Sequence, residues 1–199
     1  MELDRVVRQR RMVRAFTDQP VASDVLDRIL ALANRAPSAG NAQGWHFVVL
    51  EGAEQTRRFW DVTLSTERRS GFRWPGLLQA PVLVLPLADA DRYVERYAEP
   101  DKATTGLGES EAAWPVPYWV VDTSFATMTL LHAVVDEGLG ALFFGIFRNE
   151  AELMDELGIP DGLRPIGAVA IGHPATDEPG RSQGRGRRPL DEVVHRGGW

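Results

Sequence analysis

Ala36-Pro37-Ser38-Ala39-Gly40-Asn41-Ala42-Gln43-Gly44-Trp45 is a run of small and amide residues between two apolar segments. Upstream, Val25, Leu26, Ile29, Leu30 and Ala33 recur at helical spacing; downstream, His46 to Leu50 reads as a buried strand. The connection exceeds the usual handful of residues between a helix and a strand, and long ordered loops tend to carry function. Pro37 stiffens the turn, Gly40 lets the backbone come close to something, and Ser38, Asn41 and Gln43 offer uncharged donors and acceptors. Such a loop suits a flat, neutral, hydrogen-bonding heterocycle better than a metal or a phosphate. The plainer reading is a polar turn that caps the preceding helix.

Around this loop the chain reads as one domain of alternating helices and strands. Residues 2–10 form a short amphipathic helix with Leu3, Val6 and Val7 inward. Arg10-Arg11-Met12-Val13-Arg14 follows as an extended segment with Arg10, Met12 and Arg14 on one side. Two guanidinium groups on one face can hold an anion, although a solvated basic segment has the same composition. Ser23 is the expected N-cap of a helix running to about Arg35. A polar helix over about 54–69 precedes a second buried strand, Ala80 to Pro86, bounded by prolines. In residues 87–117, acidic residues alternate with Tyr93, Tyr97 and Trp114, which suggests a short helix near 90–98 and then a mobile excursion. Its aromatics either close over a ligand as a lid or pin the loop to the body.

The longest helix spans about Tyr118 to Glu137, with Val121, Phe125, Met128, Leu131 and Val135 as its inward stripe. Gly138-Leu139-Gly140 ends it, and Ala141 to Phe144 is a third strand, closed by Gly145. Asn149 caps a helix to Leu157, and Arg164 to Ile171 is a fourth strand. From about residue 175 the composition turns to Gly, Pro, Arg and Ser, as in an arm that packs on another surface.

The chain has 199 residues, 44% hydrophobic and 25% charged, which is ordinary for a soluble globular protein. It has no cysteine, which excludes disulfides, thiolate metal sites and cysteine nucleophiles. No leader or membrane span is legible, so a cytoplasmic location is expected. The net charge of -6 argues against a nucleic-acid binder. Nine of the 22 basic residues nevertheless crowd two terminal clusters: Arg5, Arg8, Arg10, Arg11 and Arg14, then Arg181, Arg185, Arg187 and Arg188. No dinucleotide fingerprint, phosphate loop or nucleophile elbow occurs. His132 and Asp136 stand one helical turn apart, but without a third ligand a hydrogen-bonded histidine is the better reading, and no metal is expected. What remains is two arginine clusters, an amide-rich loop and a glycine-bounded strand at 138–145. Together they fit a ligand with an anionic tail and a neutral aromatic head, of which flavin mononucleotide is one.

Arg10-Arg-Met-Val-Arg14-Ala-Phe and Ala36-Pro-Ser-Ala-Gly-Asn41-Ala-Gln43-Gly-Trp45-His-Phe resemble the start of the FMN-dependent nitroreductase family. Gly138 to Gly145 is similar to that family's segment beside the flavin, and Arg185-Gly-Arg187-Arg188-Pro189-Leu-Asp-Glu-Val to its C-terminal basic motif. The four matches keep the family's order and span almost the whole chain. The resemblance implies an α+β fold, an α/β/α sandwich whose mixed, mostly antiparallel sheet is flanked by helices. It implies a homodimer with FMN at the interface and residues 175–199 as an arm on the partner. The cofactor-binding residues it implies are Arg10, Arg11, Met12, Arg14, Pro37, Ser38, Ala39, Asn41, Phe144, Gly145, Arg185 and Arg187. Of these, Arg10, Arg185 and Arg187 would grip the phosphate and Arg14 would lie near the pyrimidine edge. The implied activity is transfer of hydride from NADH or NADPH through the flavin to a small flat acceptor such as a nitroaromatic or quinone, with no catalytic side chain. Alternatives on the same fold are a storage or sensor protein, dehalogenation, flavin fragmentation, or a deazaflavin as donor. Met12 stands where the family usually has serine, and Gly44 where it usually has proline after the glutamine.

Overall fold

The computed structural model describes residues 1–176 and 184–199. In chain order the elements are α1 (Leu3–Gln9), α2 (Ser23–Ala33), β1 (Trp45–Glu51), α3 (Gly52–Thr63), α4 (Thr66–Arg69), β2 (Val82–Asp89), α5 (Asp91–Ala98), α6 (Tyr118–Asp136), β3 (Gly140–Phe144), α7 (Glu150–Leu157), β4 (Leu163–Pro165) and β5 (Ala168–Gly172). The strands form one sheet in the order β1-β2-β5-β3, with β4 also paired to β2. Every strand pairing is antiparallel, and a single parallel bridge, Met12 to Ala141, adds the N-terminal segment outside β3.

Period-two alternation builds the layers. Val82 and Val84 of β2, with Val169 and Ile171 of β5, meet α2 and α6 through Leu26, Ile29, Leu130 and Val134. Leu83, Leu85 and Leu87, with Ala168 and Ala170, face the other way onto Phe59 and Trp60 of α3 and Leu153 of α7. Both faces of the sheet are thus covered, and β2 is buried along nearly its whole length. A third cluster, Ala42, Ala88, Ala90, Tyr93, Trp114 and Trp119, closes one end of the sheet.

Several local expectations change. The second strand does not stop at Pro86 but runs through it to Asp89. The fourth strand is split into β4 and β5, which pair with Leu87–Asp89 and Val82–Val84 respectively. Pro86 lies between those two pairings; it has no N–H to donate, and its carbonyl instead accepts from Ile166 N–H at 3.1 Å. The helix expected over 54–69 breaks at Leu64 and Ser65. Ser23 is the first helical residue rather than the cap. Asn149 sits at an N-cap in left-handed geometry, but its amide donates to Val62 O at 2.8 Å instead of capping. Only Val6 of α1 is buried, while Leu3 and Val7 are exposed.

In α6 the buried face comprises Trp119, Asp122, Thr123, Ala126, Thr127, Leu130, Leu131, Ala133 and Val134. Phe125 and Met128, expected inward, are 48% and 39% exposed. The helix is apolar on two sides, and only one meets the sheet. Leu130 is fully buried between α2 and the sheet, so Leu130→Ala is expected to cost about 2–5 kcal/mol by urea unfolding.

Candidate functional site

The 36–44 loop is an ordered, strained turn. Ala39–Asn41 makes a single 3-10 turn, and Gly40, Asn41 and Gln43 have φ of 59°, 56° and 51°. Left-handed backbone at two non-glycine residues in four positions costs free energy and needs outside support. Asp122 of α6 supplies it. Its Oδ2 accepts from Ala39 N–H at 2.8 Å and from the Tyr93 hydroxyl at 2.8 Å. Burial first, and the carboxylate beside it second, push the Tyr93 phenol far above its ordinary range, so it stays a donor. Ser38 Oγ accepts from Gln43 N–H at 2.9 Å, which closes the loop on itself. Arg96 Nε donates to Gly40 O at 2.9 Å, while its outer nitrogens are held by Asp101 at 2.8 Å.

In this structure residues of the 87–117 region pack against the loop and brace it. Tyr93 is fully buried, Trp114 is 8% exposed, and the Trp114 indole N–H donates to Leu107 O at 2.9 Å. Tyr97 and Trp114 pack edge to face at 4.7 Å. A Cβ on Gly44 would stand 2.4 Å from Tyr93 Cε2, and one on Gly40 would stand 2.8 Å from Tyr97 Cε2. Both glycines let the turn lie directly on those rings.

The arginine segment lies on β3. Val13 N–H donates to Ala141 O at 2.9 Å, and Phe143 N–H reaches the Met12 sulfur at 3.5 Å. Arg14 is half-buried, donates to Met12 O at 3.2 Å and lies over the Trp74 ring at 5.4 Å. Beside it opens a cavity of 430 Å³ whose lining includes Arg14, Trp60, Phe72, Trp74, Phe144 and Gly145. Trp60 stacks on Phe144 at 5.7 Å with the planes 6° apart. A larger cleft of 610 Å³, lined by Asp18, Glu51, Arg57 and Arg69 among others, holds none of the expected residues and mixes both charge signs.

One chain brings Arg14 to Phe144 and Gly145 at the cavity and sets Met12 beside Ala141 of β3, with Arg10 and Arg11 toward the strand's N-terminal end and outside the cavity lining. It does not bring Pro37, Ser38, Ala39 and Asn41 to them. The loop enters β1 and the arginine segment borders β3, which are opposite edges of the sheet. Three interstrand steps separate those edges, roughly 14 Å. Arg185 and Arg187 lie in 184–199, where every residue is exposed. The ion pair Arg188–Glu192 and the stacked His195–Trp199 rings are contacts internal to that segment. Arg181 falls outside the described residues.

Comparison with known proteins reads this arrangement. The sequence profile of the Nitroreductase family matches residues 7–173. The chain belongs to the nitroreductase family. The FMN reductase (NAD(P)H) of Bacillus subtilis is 31% identical over 93% of this chain and 69% of its own length. Among solved structures, NfrA2 of B. megaterium has a TM-score of 0.75 at 21% identity, covering 100% of this chain and 75% of that one. A nitroreductase family protein of Streptococcus pneumoniae has a TM-score of 0.72 at 21% identity, covering 98% and 99%. These two show the same fold. The layered, mostly antiparallel α+β architecture expected from the resemblance is the one observed.

Gly44 and Met12, singled out from the sequence, each sit against a particular neighbour in the fold. Tyr93 occupies the space that a proline ring at position 44 would need. Met12 packs against the core, and its sulfur meets the Phe143 amide. The residues fit FMN in kind: an aromatic-walled cavity for a flat ring, Arg14 at its side, and further arginines for a phosphate.

His132 was expected to be hydrogen-bonded. Its Nε2 is instead buried without a partner among the described residues, and Asp136 pairs with the Met1 amino group. Desolvation first, then the Arg10 cation, hold the His132 imidazole below its ordinary pKa. Among the described residues no group of three or more His, Asp or Glu is placed to hold a metal.

Sequence reasoning missed Asp122, Tyr93 and Arg96 as the residues that shape the loop. A lone carboxylate within an apolar helix was the available signal for Asp122. Asp122→Ala leaves the buried Tyr93 hydroxyl and the part-buried Ala39 N–H without this acceptor, at about 1–3 kcal/mol for the buried donor and less for the other. Urea unfolding and faster amide exchange at Ala39 check it. Gly44→Ala is expected to destabilise by about 1–3 kcal/mol through its clash with Tyr93, measured in the same way. Because the folded pKa of His132 is lowered, the unfolded chain takes up its proton first as pH falls, and stability drops just below the ordinary imidazole pKa of about 6.5. His132→Gln is expected to flatten that slope in pH-dependent denaturation.

Proposed function

We propose that this nitroreductase works as an FMN-dependent oxidoreductase that draws hydride from NAD(P)H and passes electrons to a small flat acceptor, a nitroaromatic or a quinone. The observation that carries the reading is the aromatic cavity flanked by Arg14, set against the arginine segment on β3. Bound FMN would supply the redox chemistry, accepting and releasing hydride at its ring. The chain's own part is to bind and orient. Arg10 at the start of the segment, with Arg185 and Arg187, holds the phosphate by charge-assisted hydrogen bonds, and Arg11 lies next to it. Arg14 places a cation where negative charge develops on reduction. Pro37, Ser38, Ala39 and Asn41 present an uncharged edge to the ring, and Met12, Phe144 and Gly145 border it from β3.

The working unit in this reading is a homodimer with FMN between the copies. Support comes from apolar surface that one chain leaves exposed: Leu3 and Val7 on α1, Phe125 and Met128 on α6, and Leu190, Val193, Val194 and Trp199 near the C-terminus. A second copy also offers a way to join the β1-edge loop to the β3-edge arginines, with 175–199 as the arm that reaches across. Among the described residues no helix is long and apolar enough to cross a membrane. We place the protein in the cytoplasm, where nicotinamide nucleotides are at hand.

Purified protein is expected to show a bound-flavin absorbance spectrum that bleaches on anaerobic titration with NADH or NADPH. Protein that is colourless, and stays so after FMN is added, refutes the assignment. Arg187→Ala is expected to weaken FMN binding by about 1.5–3 kcal/mol, read from flavin fluorescence. Phe125→Glu is expected to give monomers in sedimentation and to lose FMN together with the dimer.

A further inference from the structure

The aromatic cavity carries more positive charge than FMN accounts for. Its lining includes Arg14, Arg68 and Arg148 and no carboxylate, in a chain whose net charge is -6. The side chains of Arg68 and Arg148 are exposed and make no hydrogen bond or ion pair among the described residues. Arg73, next to the lining, lies over the Trp74 ring at 5.3 Å, opposite in sequence to Arg14 over the same ring at 5.4 Å.

Position separates these arginines from the phosphate set. Met12 pairs in parallel with Ala141, so Arg10 and Arg11 lie toward the N-terminal end of β3. Arg148 lies four residues beyond Phe144, past the other end of the strand, and Arg68 faces the same cavity from α4. Between Ala141 and Phe144 alone the strand advances roughly 10 Å. FMN has one strongly anionic group, and the first set is assigned to it. The second set therefore meets an anion that comes and goes with the other substrate. The aromatic lining not assigned to the flavin, Phe72, Trp74 and Phe147, favours a flat ring.

We propose that Arg68 and Arg148 select electron acceptors that are flat, aromatic and carry an anionic substituent such as a carboxylate. This rests on the FMN oxidoreductase reading above. The guanidiniums do no chemistry; they hold the substituent and so fix the ring against the aromatic wall.

The test uses the holoenzyme and two probes of nearly equal shape, 4-nitrobenzoate and neutral 4-nitrobenzamide. Each measured turnover converts Ar–NO2 to Ar–NO and water, using the hydride of NAD(P)H and one solvent proton. The wild type is expected to prefer the benzoate in kcat/KM, mainly through KM, and to lose that preference as salt is raised. Arg68→Gln and Arg148→Gln should each lower the benzoate-to-benzamide ratio by about fivefold, the upper range for an exposed ion pair. Without any donor, titrating either probe into the oxidised holoenzyme and following tryptophan quenching should give the same order of affinities.

Equal efficiency with both probes in a protein that holds FMN and turns over overturns this proposal alone. So does a ratio that the variants leave unchanged while KM for NADH or NADPH rises, because the arginines then serve the donor's phosphates. A protein that retains no FMN takes down both this proposal and the reading beneath it.

Discussion

A carboxylate taken out of water has to be answered by donors or by a counter-charge. Asp122 is 2% exposed, forms no ion pair among the described residues, and is answered by one backbone N–H and one phenol. Those donors belong to the 36–44 loop and to α5. A single oxygen thus fixes the relative placement of the long helix, the acidic excursion and the turn that begins β1. The left-handed residues Asn41 and Gln43 persist because that frame over-determines them. Arg96 and the rings of Tyr93 and Tyr97 add a second tether and a floor.

The individual strands and helices were legible because their signal is local and repeated, whereas their layered arrangement was implied by the family resemblance alone. Strand β2 reads as a continuous apolar run, which marks a buried strand, and only the structure shows Val82 and Val84 on one layer and Leu83 and Leu85 on the other. The arginine segment and the loop taken singly also fitted a solvated basic stretch and a capping turn, and it was their order along the chain that pointed to chemistry. The dividing point between β4 and β5 was not legible, because it depends on Pro86 of a different strand. The orientation of α6 was not legible either. Phe125 and Met128 are as apolar as Leu130 and Val134, and spacing alone cannot say which side of a doubly apolar helix meets the sheet. Tyr93 and Tyr97 could be read as lid aromatics until Gly40 and Gly44 were seen lying against them.

The candidate site was half legible for a related reason. Motif order named residues from both edges of the sheet without saying that the edges are distinct in one chain. The topology β1-β2-β5-β3 separates them. In the proposed dimer, the outward apolar residues of α1, α6 and the C-terminal segment, unexplained as core, are the ground on which a second copy joins them.

That separation has a thermodynamic consequence. In the proposed dimer each pocket takes Arg14 from one copy and Asn41 from the other, so cofactor affinity and subunit affinity are one quantity seen from two ends. Dilution that parts the copies empties both pockets together, and a saturating supply of flavin tightens the pair by the same free energy. Holding on to the cofactor then becomes a matter of mass action, set by how much of the protein is present.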